Sequence, residues 1–157
     1  MKKLTVLCAF AVLTLVSISF AQIPSDRDVL LGAKGAGQAK YAENNGYPGP
    51  MHVLEMAKTI GLSETQKEKV QKIYDEMKTS AIEVGKRIIK IEEELNAGFR
   101  EGLIIEKNIM SDAQDIGRLR GKLRAIHLIA HLKTKRILTD KQVQLYRKLR
   151  EVDNEKK

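Results

Sequence analysis

The sequence predicts an all-α protein: a long antiparallel helical hairpin framed by two short helices, four helices in all. Three observations predict it. Apolar residues recur in heptads between Val70 and Leu95, the period of a helix with one buried face. No stretch shows the alternation of a half-buried strand. Two segments of one form, Leu62-Ser63-Glu64-Thr65-Gln66 and Leu138-Thr139-Asp140-Lys141-Gln142, each open a run of helical periodicity. In each, the Ser63 or Thr139 hydroxyl can accept from a first-turn backbone N–H. Gln66 or Gln142 reaches back to the cap residue's own N–H. Leu138 also meets Val143 as a hydrophobic staple, whereas Lys67 leaves the first copy's staple incomplete.

The chain opens on an export signal. Lys2 and Lys3 form a positive n-region, Leu4 to Phe20 is mostly apolar, and Ser19-Phe20-Ala21 supplies small residues for cleavage. The apolar run is long enough for a membrane anchor, but the small residues and the polar stretch after Ala21 favour cleavage. Residues 1–21 are therefore read as a cleaved signal peptide, which marks the mature chain for export. Cys8, the one cysteine, lies within it, so no disulfide staples the remaining 136 of 157 residues. No later apolar run is long enough to span a bilayer.

Residues 22–50 carry no sustained periodicity and are punctuated by glycine and proline, which predicts a mostly extended, flexible N-terminal arm. Val29 to Leu31 can begin a short helix. The Gly32-Ala33-Lys34-Gly35-Ala36-Gly37 stretch is no phosphate loop, since it lacks the Gly-Lys-Ser/Thr ending and no strand precedes it.

The helical domain is placed at residues 51–152. Pro50 precedes a short helix from Met51 to Ile60, closed by Gly61 in the left-handed region, with Val53, Ala57 and Ile60 facing the core. The long helix runs from Glu64 to near Ala97, roughly 50 Å. Tyr74, Ala81, Ile88 and Leu95 hold one heptad position, and Val70, Met77, Val84 and Ile91 the other. A third helix begins near Lys107 or Ser111 and ends at Ile137, with a stripe of Ile116, Leu119, Leu123, Ile126, Ala130 and Ile137. Leu128, Ile129 and Leu132 point away from that stripe, so the segment is buried all round or presents a binding surface. A last helix, Asp140 to Val152, uses Val143, Tyr146 and Leu149, and residues 153–157 form a polar tail.

Charge is unevenly placed. Residues 22–116 hold 13 Lys/Arg against 16 Asp/Glu, and residues 117–157 hold 13 against 4. With four tyrosines, three phenylalanines and no tryptophan in an exported chain, nucleic acid is not the expected partner. An anionic membrane face or acidic client polypeptides suit the basic half better. No paired carboxylates, nucleophile motif or cofactor loop marks an enzyme.

The paired motifs, with Asn45-Gly46-Tyr47-Pro48-Gly49-Pro50-Met51-His52-Val53-Leu54-Glu55 and Leu123-Arg124-Ala125-Ile126-His127-Leu128-Ile129-Ala130-His131-Leu132, resemble the Spy/CpxP family of periplasmic proteins and its heavy-metal sensor and resistance branch. The resemblance covers about Val29 to Arg150. It implies a thin, curved, antiparallel homodimer that holds partly unfolded clients without ATP. It equally allows a metal-binding stress sensor that reports to a membrane-bound signalling protein. The long heptad helix and the all-round apolar stretch fit a second subunit. The client surface is expected at Leu128, Ile129, Leu132, Lys133, Arg136 and Arg124.

His127 and His131, four apart on one helix, project side by side and suit a shared Zn²⁺, Ni²⁺ or Co²⁺. His52 precedes Met56 by the same step, with Glu55 between. In the metal-sensing relatives the ligands come from the first and third helices, which makes His52, His127 and His131 the implied set; Met56, Glu55, Glu76 or Glu68 would complete it. No cofactor is otherwise required. The competing reading leaves the histidines on a helix flank as hydrogen-bonding residues and Met56 as core filler.

Overall fold

In the computed structural model, residues 26–32, 35 and 37–155 are described; the signal peptide lies outside them. Six helices follow in order: α1 (Asp26–Leu31), α2 (Lys40–Asn44), α3 (Pro50–Glu55), α4 (Glu64–Glu101), α5 (Glu106–Ile137) and α6 (Asp140–Glu155). The described residues contain no strand, and none of their helices is long and apolar enough to cross a membrane.

The two long helices pack on each other. α4 has 38 residues and α5 has 32, about 57 and 48 Å at the α-helical rise. Their register is antiparallel. Gln66 meets Ile137, Glu76 meets Lys133, and Glu92 meets Arg120, so rising numbers on one helix pair with falling numbers on the other.

The hairpin turns four residues later than Ala97. Gly98 stays within the helix, and Ile104 packs where its side chain would stand. Gly102, at φ 68°, then ends the helix. Leu103 N–H donates to the Gly98 carbonyl at 3.0 Å and Gly102 N–H to Phe99 at 3.2 Å, the paired bonds of a Schellman motif. The first short helix is likewise shorter than expected. After Glu55 the chain tightens into turns, which close when Leu62 N–H reaches the Ala57 carbonyl at 2.9 Å around left-handed Gly61. At the other end α6 carries the helix to Glu155, into the segment expected to be a polar tail.

The arm at 22–50 is the largest departure. It is not extended within the described residues but forms α1 and α2, and it packs. α1 crosses α4 at Gly85, where an added Cβ would stand 2.6 Å from the Leu30 carbonyl oxygen. This close crossing buries Leu30 with Ala81, Val84, Ile88, Leu119 and Leu123 in one core. Arg27 pairs with Glu93, and Arg120 bonds Asp26 at 2.7 Å. A second core joins Val53, Ile60, Leu62, Val70, Leu138, Val143 and Tyr146. Leu138 and Val143 thus share a core as their staple spacing requires, and Leu62 enters it without one.

Both capping motifs form. Ser63 Oγ accepts from Gln66 N–H at 3.2 Å, and Ser63 N–H donates to Gln66 Oε1 at 3.0 Å. The second copy repeats this, with Thr139 N–H to Gln142 Oε1 at 2.9 Å and Gln142 N–H to Thr139 Oγ1 at 3.3 Å.

Candidate functional site

Between the two cores lies a polar layer on α5. Its buried face runs through Leu119, Leu123, His127, Ala130, His131 and Thr134. The histidines therefore face inward, and the expected stripe is rotated: Ile126 and Ile137 are only half-buried. The physical reason is the arm, whose docking covers the side of α5 that a bare hairpin would expose.

His131 anchors the Asn45–Pro50 segment. Its Nδ1 donates to the Tyr47 carbonyl at 2.7 Å, which fixes the ring's orientation, since a carbonyl only accepts. The far edge of the ring lies against Gly49, where a Cβ would come within 3.0 Å of Cε1 and Nε2. Four residues on, the Lys135 ammonium stands 4.0 Å from the Tyr47 ring centroid.

A carboxylate that sequence reasoning missed ties this segment to α6. Glu43 accepts from the Tyr146 hydroxyl at 2.8 Å, pairs with His52 Nδ1 at 2.8 Å and lies 3.6 Å from the Arg150 guanidinium. Hydrogen bonding from His52, partly opposed by burial, lowers its pKa to about 2. Burial, and then the bond to Glu43, raise the Tyr146 phenol well above its ordinary value. No spacing motif marks Glu43; the available signal was one isolated acid in a segment otherwise short of charge.

A cavity of about 360 Å³ opens beside this layer, and its wall includes Gly49, His52, Tyr74, Met77, His127 and His131. Thus the three histidines do line one space. Their arrangement is nevertheless not a ligand shell. Among the described residues, no three His, Cys, Asp or Glu side chains are placed to hold a metal ion. His52 is engaged with Glu43, and His131 with a backbone carbonyl. The proposed supplements lie elsewhere: Met56 packs against the second core, Glu55 and Glu68 line a separate surface groove, and Glu76 pairs with Lys133 at 3.7 Å. The residues do not fit the metal set the resemblance implies. His127 is 3% exposed, and among the described residues its Nε2 has no hydrogen-bond partner. Burial, and secondarily His131, lower its pKa.

The residues expected to hold clients divide between two faces. Ile129, Leu132, Lys133 and Arg136 share one side of α5 at about 100° per residue. Ile129 is 51% and Leu132 39% exposed. Beside them runs a groove of about 170 Å³ lined by Ile73, Met77, Ile126 and Ala130, with Glu76 and Lys133 also in its wall. Arg124, about 140° round the helix from Ile129, turns the other way, with its guanidinium 5.9 Å from the Tyr41 ring on the arm, while Leu128 lies one turn before Leu132 and is half-buried. A second exposed apolar group sits at the hairpin turn: Phe99, Leu103, Ile105, Ile109 and Met110.

Compared with known protein families, curated proteins and solved structures, the chain matches none.

Proposed function

We propose that the protein is an exported chaperone of the Spy/CpxP kind, which holds partly unfolded clients on the outer face of α5 without ATP. One observation carries the reading: Ile129 and Leu132 stand in solvent beside an apolar groove, next to Lys133 and Arg136. An exposed apolar strip with basic neighbours captures apolar client segments by burial and draws acidic ones by charge. The exposed turn at Phe99 to Met110 supports a homodimer in which a second copy covers it.

The test is suppression of aggregation of a chemically denatured client by equimolar protein. The unsubstituted protein slows light scattering, and the double variant Ile129→Asp, Leu132→Asp does not while keeping its helical circular dichroism. Equal suppression by both proteins refutes this surface, and no suppression by either refutes the chaperone reading.

A further inference from the structure

We propose that the cavity beside His127 binds a small uncharged aromatic alcohol, a phenol of about two fused rings. An apolar cavity of about 150 Å³ takes up benzene, and this one is more than twice as large at about 360 Å³. The wall chemistry selects rings, because Met77 offers a thioether, Tyr74 an aromatic ring and Gly49 bare backbone.

His127 supplies the polar contact. Its Nε2 is buried and unpartnered, while the other two histidines in the wall already have partners. A hydroxyl both donates and accepts, so it satisfies Nε2 in either tautomer. A charged group is disfavoured there. In the wall, Glu43 is compensated by His52 and Arg150, Lys40 is exposed so that its ammonium stays hydrated, and burial keeps the His127 imidazole from carrying a charge that could pair with an anion. Ile129 and Leu132 do not line this cavity, although Met77 borders both it and the groove beside them, so probe binding and client holding are read in separate assays and fail independently.

The probe is 2-naphthol, followed by its own fluorescence in a protein without tryptophan, with naphthalene as the same ring system lacking the hydroxyl. 2-Naphthol is expected to bind at least tenfold more tightly than naphthalene and to shift the nitrogen-15 resonance of His127 Nε2. In His127→Leu that preference disappears. In Met77→Phe, which fills the cavity from α4, both probes lose binding. Absence of 2-naphthol binding, equal affinity for the two probes, or an unmoved His127 resonance in the unsubstituted protein overturns the proposal, whether or not either variant folds.

Discussion

Gln66 and Gln142, 76 residues apart, exchange side-chain amides: Nε2 of the first donates to Oε1 of the second at 2.9 Å, and the reverse bond is 3.0 Å. Each amide has a further donor bond to a distant carbonyl, Gln66 to Ile137 and Gln142 to Gly61, both 3.0 Å. Each oxygen also accepts from its own cap residue. All four hydrogen-bonding positions of both amides are filled. The two capping motifs are therefore one clasp that locks the start of α4 to the start of α6.

Replacing Gln66 by Glu should cost about 1–3 kcal/mol, because it removes two donors and sets a carboxylate against the Ile137 carbonyl and Gln142 Oε1. Gln142→Glu should cost a similar amount, and the double variant more than the sum, since it also sets two carboxylates side by side where the amides met. Urea unfolding of the four proteins measures this; strict additivity contradicts the clasp.

The helices of the hairpin and both caps were legible in the sequence because periodicity and capping are local. The clasp was not, since nothing local to Leu62–Gln66 tells which carbonyls Gln66 will meet across the fold. α2 and the docking of α1, of which only Val29 to Leu31 was anticipated, escaped for a different reason. Five or six residues among glycines are too few to display a period, and their helicity follows from docking on α4 and α5. Gly85 was the available clue, an isolated glycine inside a long helix with a packing reason for being there. The inward face of His127 and His131 was misread because the docked arm, not the hairpin alone, decides which side of α5 is covered.

Gly85→Ala should loosen α1 from α4, as the new methyl meets the Leu30 backbone at 2.6 Å rather than a side chain that can move. The helix itself gains about 1 kcal/mol of propensity, so any net loss reports the crossing. Hydrogen exchange should speed up at Val29 to Gly32 with α4 largely unchanged. Unaltered protection there contradicts the close crossing.

Acid should weaken the fold through Glu43. Its carboxyl is lowered from 4.5 to about 2 in the folded state, so the stabilisation is full above pH 4.5. Below that the unfolded chain takes up the proton first, and stability falls until the pH reaches about 2. The window contributes up to about 3 kcal/mol, and Glu43→Gln should flatten it in a pH series of thermal melts.

His127 acts in a higher window with the same sign. Its folded pKa is lowered below 6.5 by burial, so stability is full above that value and declines as the unfolded state protonates below it. His127→Leu should remove the part of the slope that begins just below pH 6.5 and leave the Glu43 window intact. An unchanged slope contradicts a buried, uncharged imidazole.

The solvent-facing strip of α5 is the proposed place where clients are held. Photo-crosslinking tests it most directly, with a photoreactive residue at position 129, at 132, or at the exposed position of Glu68 on α4. With a denatured client, the account predicts strong adducts from 129 and 132 and weak ones from 68. Adducts of equal yield at all three positions, or from 68 alone, would contradict it.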